Sequence, residues 1–229
     1  DKVAAYLPNI IETVEFFLAT SSIGSVWSSC SPDFGVNGVI ERFSQIKPKI
    51  LIIADRYYYN GKEINIISRL PEILKKIKSI KNVVIINYPG KKYLKSKKIK
   101  NINITRLNKI KKFEGNIIEF KKFDFDHELA ILFSSGTTGK PKCICHRAGG
   151  VLLQHLKEHK LHCDIKENDN IFYFTTCGWM MWNWLVSSLA SGASIVLFDG
   201  FPLYKQSDLI FKIAEKEQIT LLGLSAKYI

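Results

Sequence analysis

The chain has 229 residues, with 33 Lys+Arg against 21 Asp+Glu for a formal charge of +12, and 46% of its residues are hydrophobic. That length fits one large domain or two small lobes, is enough to hold a core without disulfide staples, and with this much apolar residue excludes disorder along the whole chain. The sequence has no run of the roughly 18 apolar residues that span a bilayer and no opening signal peptide, and its five cysteines (Cys30, Cys143, Cys145, Cys163, Cys177), an odd count in a long chain, fit a reducing, cytosolic setting.

In chain order, Val3–Leu7 reads as a buried strand, and Ile10–Ser22 as a helix with Asn9 as its cap. Ser25–Trp27 is a strand, Gly35–Ile46 a helix closed by Pro48, and Ile50–Ala54 an apolar strand. Ile64–Ile77 is amphipathic and predicts a helix broken near Pro71, and Asn82–Ile86 predicts another strand. Then comes a basic stretch: residues 75–122 hold 16 Lys/Arg and two acids, Glu114 and Glu119, so this segment carries +14 and the rest of the chain −2. Lys, Ile and Asn make up most of it, and its few aromatics do not alternate with the bases, so it reads as a solvated surface insert rather than a stacking platform for nucleic acid. Patterning resumes with a strand at Leu129–Phe133, a helix from about Gly150 to Leu161 and a strand at Ile171–Phe174. Met180–Ala190 reads as a helix, Ser194–Phe198 as a strand, Ser207–Lys216 as a helix and Ile219–Leu222 as a strand. This alternation predicts an α/β fold with parallel-rich sheets flanked by helices.

The segment Phe133-Ser134-Ser135-Gly136-Thr137-Thr138-Gly139-Lys140-Pro141-Lys142 follows an apolar strand. Its glycines allow close backbone approach, its four hydroxyls and backbone N–H groups can donate to phosphate oxygens, and its lysines add positive charge. It is not a Walker A loop: two residues, not four, separate the glycines, and Pro141 follows Lys140.

This segment resembles the phosphate-binding signature of the acyl-adenylate-forming superfamily, which includes acyl-CoA synthetases, adenylation domains and luciferases. Val26–Gly35, Phe174–Asn183, Ala4–Asn9 and the closing Ser-Ala-Lys-Tyr-Ile are similar to acetoacetate–CoA ligases, while in the basic stretch the resemblance is weak, and Cys143, Cys145 and Cys177 depart from the pattern. The resemblance implies that ATP activates a carboxylate as acyl-adenylate, that CoA then displaces AMP, and that magnesium accompanies the phosphates. It assigns Ser135, Gly136, Thr137, Thr138, Gly139 and Lys142 to the β- and γ-phosphates, with Ser134 next in line and Thr138 and Lys142 as the catalytic pair. It assigns Trp179, Met180 and Met181 to a small acyl pocket, where bulk limits chain length. ATP, acetoacetate and CoA are the expected partners; nucleic acid and membrane are not, and no metal site is assigned.

Residues 1–229 are expected to be part of a large AMP-binding N-terminal domain: a first lobe over 1–122 with the basic insert at about 87–122, and a second lobe over 123–229 opening with the phosphate loop. The chain begins without Met and its first residues already read as strand, so an internal fragment is expected, lacking the family's ribose-holding acid and the lysine of its mobile C-terminal domain. Such a fragment should bind phosphate poorly and not complete the reaction. Within enzymes, an acetyl- or propionyl-CoA synthetase is the alternative. From another class, a nucleic-acid-binding module at 75–122 would show salt-sensitive affinity. Zinc on Cys143, Cys145, His146, His155, His159, His162 and Cys163 is disfavoured because Cys-x-Cys-His lacks the usual ligand spacing.

Overall fold

The computed structural model describes residues 1–96, 98–110, 120–134, 139–226 and 228. The chain opens with β1 (Lys2–Tyr6), α1 (Ile11–Ser22), β2 (Val26–Cys30), α2 (Gly35–Ile46) and β3 (Ile50–Ala54). These three strands pair in parallel, with β1 in the middle. Covered on both faces, they carry almost uninterrupted buried residues. Two buried hydroxyls in β2 are satisfied: Ser28 donates to the Ile131 carbonyl at 2.8 Å and Ser29 to that of Cys177 at 2.5 Å. In α2, Val39, Phe43 and Ile46 repeat at helical spacing and face the core, and Lys47 ends the helix in a left-handed conformation before Pro48.

The next segment departs from expectation. A hairpin of β4 (Arg56–Tyr59) and β5 (Lys62–Asn65) precedes α3 (Leu70–Lys76), so Ile64 lies in a strand rather than opening a helix. Pro71 sits in the first turn of α3 and does not break it, because the N–H it lacks would have no partner there. β6 (Asn82–Ile86) follows, then β7 (Asn103–Arg106) and a single helical turn, α4 (Leu107–Ile110). The basic stretch is therefore more than a solvated insert: β7 pairs in parallel with β6, and Ile99, Ile102 and Ile104 pack on the core.

β8 (Glu128–Ser134) and β9 (Lys142–Arg147) form an antiparallel hairpin that completes a seven-stranded sheet of order β7-β6-β3-β1-β2-β8-β9. The first sheet thus extends past residue 122, because β8 pairs with β2 through Trp27 and Ala130. α5 (Ala148–Lys157) runs into a π-turn at Glu158–His162. β10 (Asn170–Tyr173), α6 (Met180–Ser187), β11 (Ser194–Val196), α7 (Leu209–Lys216) and β12 (Leu221–Gly223) then build a second, parallel sheet of order β11-β10-β12. The main core lies under the first sheet and takes in Cys177, Trp182 and Val186 from the second unit; a smaller cluster forms around Ile165, Ile171, Trp184, Leu185 and Ala193. Among the described residues, no helix is long and apolar enough to cross a membrane.

Candidate active site

The glycine- and hydroxyl-rich segment is the connection of the β8–β9 hairpin. Ser134 and Lys142 are register partners at its mouth, so both stems are fixed by the ladder. Gly139, Lys140 and Lys142 are exposed, which leaves both lysines free to meet an anion from solvent. Ser135, Gly136, Thr137 and Thr138 lie outside the described residues. On the β9 side, Gln45 of α2 donates to the Pro141 carbonyl at 3.0 Å and holds the stem against the sheet.

The stem meets the candidate acyl segment through a stacked column. The Arg42 guanidinium lies 4.1 Å from the Phe34 ring centroid and 5.9 Å from that of Phe133, the residue before Ser134. Gly178 approaches Phe34 so closely that a Cβ there would stand 3.1 Å from the edge of the ring. The stretches 26–35 and 174–183, which the sequence singles out separately, are joined here, with Cys177 bonded from both directions. Its carbonyl accepts from Ser29, and its thiol donates to the Leu7 carbonyl at 3.0 Å. Burial pushes the Cys30 thiol up to about 12 and the Cys177 thiol up as well, so neither is a thiolate nucleophile near neutral pH.

Trp179 and Met180 stand exposed at the start of α6, and Met181 is half-buried against the smaller core cluster. Met180 lines a cavity of about 480 Å³ with His146, Arg147, Gly150, Gln154, His155 and Glu158. Another cavity of about 480 Å³ and one of about 400 Å³ open on the basic edge beside β7, away from the loop.

The histidines at 155, 159 and 162 do not share one face. His155 and His159 are buried while His162 is exposed, because the π-turn shifts the helical phase at residue 158. His155 Nδ1 lies 2.7 Å from the Ser187 hydroxyl, which itself donates to the Trp184 carbonyl, so the imidazole is the donor to Ser187. Burial, with His159 beside it, pushes the His155 imidazole down to about 4 and keeps it neutral. Among the described residues, no group of three His, Cys, Asp or Glu side chains is placed to hold a metal ion.

Two residues at this junction escape a sequence reading. Asn9 is not the cap of α1, whose N-cap position is Ile10 with no side-chain bond. Its amide is buried and bonded to Trp182, Thr175 and Phe198. Asp199, in the loop after β11, accepts from the Tyr88 hydroxyl at 3.1 Å. Burial raises its carboxyl to about 6, with Asp33 adding to the rise, against hydrogen bonds from Tyr88 and the Asn9 backbone. Asp199 belongs to no motif that could have flagged it, and Asn9, which closes the family-like stretch Ala4–Asn9, carries no local sign of its distant partners.

The fold is an α/β domain with a glycine- and hydroxyl-rich hairpin connection, and the family model described as AMP-binding enzyme matches residues 1–227, so the chain belongs to the AMP-binding enzyme family. It is 48% identical over its whole length to the acetoacetyl-coenzyme A synthetase of Rhizobium meliloti, and 47% identical to the acetoacetyl-CoA synthetase of Gallus gallus, covering 35% of each. It also matches the solved acetoacetyl-CoA synthetase from Streptomyces lividans with a TM-score of 0.91 and 39% identity, over 100% of this chain and 34% of that one. The chain thus spans about a third of the length of these relatives.

Proposed function

We propose that these residues belong to an AMP-forming acid–thiol ligase that converts acetoacetate, ATP and CoA to acetoacetyl-CoA, AMP and pyrophosphate. The observation that carries this reading is the similarity to acetoacetyl-CoA synthetases along the entire chain, the loop and the Trp179–Met181 segment included. An oxygen of the acetoacetate carboxylate attacks the α-phosphorus, and pyrophosphate leaves with the electron pair of the broken P–O bond. The CoA sulfur, its proton released, then attacks the acyl carbon of the mixed anhydride, and AMP leaves. The chain's work is positioning and charge stabilisation. Backbone N–H groups and hydroxyls of Ser135–Gly139, with Ser134 behind them, bind the β- and γ-phosphates, Lys142 neutralises charge released on pyrophosphate, and Thr138 supplies the central hydroxyl. Trp179, Met180 and Met181 bound the acyl pocket. Magnesium would accompany the nucleotide and balance phosphate charge; the described stem residues (Ser134, Gly139, Lys140, Lys142) include no carboxylate to hold the ion.

The working setting is cytosolic, in acyl-CoA and lipid metabolism. Residues 1–229 form part of the nucleotide-binding N-terminal domain, its lobes built around the seven-stranded sheet, which takes in β8 and β9, and the three-stranded sheet, and the C-terminal catalytic parts lie elsewhere in the protein. ATP–pyrophosphate exchange by the full-length protein tests the reading, with acetoacetate, acetate, propionate and 3-hydroxybutyrate compared. Exchange is expected with acetoacetate; exchange driven by acetate or propionate and not by acetoacetate replaces the substrate assignment. Thr138→Ala should slow exchange by about 10²-fold, in line with losing a donor aimed at developing charge; an unchanged rate removes the loop from the mechanism.

A further inference from the structure

Asn9 lies just after β1, outside every segment that the proposed reaction uses, yet its side chain reaches 166 to 189 residues along the chain. Trp182 Nε1 donates to Asn9 Oδ1 at 2.8 Å. Asn9 Nδ2 donates to the Phe198 carbonyl at 3.2 Å and to the Thr175 carbonyl at 3.4 Å. These partners fix the amide's orientation: an indole N–H can only donate and a carbonyl can only accept, so oxygen must face Trp182 and nitrogen the carbonyls. All three bonds are buried or partly so, and Asn9 is 5% exposed. Its loop is itself held, with Thr13 Oγ1 donating to the Pro8 carbonyl at 2.7 Å.

The two contacts at Thr175 and Trp182 bracket the segment 176–181, which contains Trp179, Met180 and Met181. Inside the bracket, backbone bonds continue the hold: the Trp179 N–H donates to the Thr176 carbonyl and the Trp182 N–H to the Trp179 carbonyl. Phe17 packs edge-on against the Trp182 ring at 5.6 Å and fills the space beneath it. One side chain therefore sets both ends of the acyl segment against the C-terminal end of β1. The third contact, at Phe198, ties in the loop that carries Asp199.

We propose that Asn9 is a positioning residue for acyl recognition, holding the Trp179–Met181 segment at the spacing that admits a short keto acid. It touches no reacting atom and acts through Trp182 and Thr175. The inference rests on the acyl-pocket assignment made above. It predicts a split in kinetic effects, because the side-chain hydrogen bonds of Asn9 go to Trp182, Thr175 and Phe198 and, among the described residues, not to the loop stem at Ser134 or Lys142. Weakening the bracket should loosen acyl binding and leave nucleotide binding alone.

The test uses the full-length protein with Asn9→Leu, Asn9→Asp and Trp182→Phe. Asn9→Asp keeps the acceptor for Trp182 and sets a carboxylate oxygen against two carbonyls. Trp182→Phe keeps an aromatic ring, removes the indole donor and leaves the volume of the missing second ring unfilled in the core. Each variant should raise KM for acetoacetate about tenfold, the cost of a buried hydrogen bond of ordinary strength, with KM for ATP within about twofold of the parent. Discrimination against 3-oxohexanoate should narrow in parallel. If both KM values shift together, or neither shifts, the assignment is overturned. Trp182→Phe decides the matter if the Asn9 variants do not fold, as circular dichroism would reveal. Failure of the functional reading is a separate result: the parent protein itself would then show no acetoacetate-driven exchange.

Discussion

Asp199 is a largely buried acid among the loops that follow β11, β1 and β6, and its titration should be readable in stability. Its carboxyl moves from the ordinary 3.8 to about 6 because burial penalises the charge. Between those pH values the folded state holds a proton that the unfolded state has released, so the contribution is fully present below about pH 4 and is lost as pH rises through about 6. Two units correspond to about 3 kcal/mol at most. Asp199→Asn keeps an acceptor for Tyr88 and cannot ionise. It is expected to match the parent near pH 4 and to be more stable by about 2 kcal/mol at pH 8. Urea unfolding at both pH values checks this, and a difference independent of pH would refute it. The same residue marks a limit of sequence reading. Asp199 in Phe198-Asp199-Gly200 looks like a surface turn, and only the closure of β11 toward Tyr88, 111 residues away, buries it. Asn9 is a parallel case: an Asn before a helix suits a cap locally, and the partners that overrule that role are far along the chain.

At the scale of elements, what could be read followed the strength of the local pattern. β1, α1, α2, β3, β6 and β8 carry apolar runs or helical spacing, and they formed within a few residues of expectation. The β4–β5 hairpin was also written in the chain, as Asn60-Gly61 between Tyr-rich and alternating residues, but the helical spacing that follows masked it. Both turn residues have positive φ, 47° at Asn60 and 74° at Gly61, as a tight two-residue hairpin turn requires. A Cβ on Gly61 would also meet the Tyr204 hydroxyl at 2.6 Å. Gly61→Ala should therefore destabilise the protein by about 1–3 kcal/mol through backbone strain, plus displacement of Tyr204. Thermal unfolding of this variant tests the point, and an unshifted midpoint would count against the turn. β7 was hidden for another reason. Ile102 and Ile104 alternate with Asn103 and Thr105, but this short pattern sits among lysines whose composition suggested a solvated tract. In the loop, glycine and hydroxyl spacing was legible at once, whereas the Arg42–Phe34 column behind it depends on tertiary contact between α2 and β8.

Across the whole molecule, the sheet order separates the two kinds of positive charge. β7 and β8 stand five strand spacings apart, roughly 24 Å at about 4.8 Å each. The glycine- and hydroxyl-rich loop opens from β8 and β9 at one edge, while Lys75, Lys78, Lys81, Lys98 and Lys100 crowd the other, exposed and, among the described residues, without ion pairs. The screening length at physiological salt is about 8 Å, so these lysines contribute almost nothing to the potential at the loop. On the proposed reading, the charge that a nucleotide meets is that of Lys140 and Lys142, although the basic edge supplies most of the formal +12. Replacing the five edge lysines by Gln should leave KM for ATP within about twofold at 0.15 M salt, because charges three Debye lengths away are screened. Lys142→Ala alone should reduce exchange by 10-fold or more, about the worth of one charge-assisted contact. Reversal of that order, with the edge variant impaired and the loop variant intact, would move the anion site to the β7 edge. Salt-sensitive retention of single-stranded DNA by the parent and not by the edge variant would then identify what that edge binds.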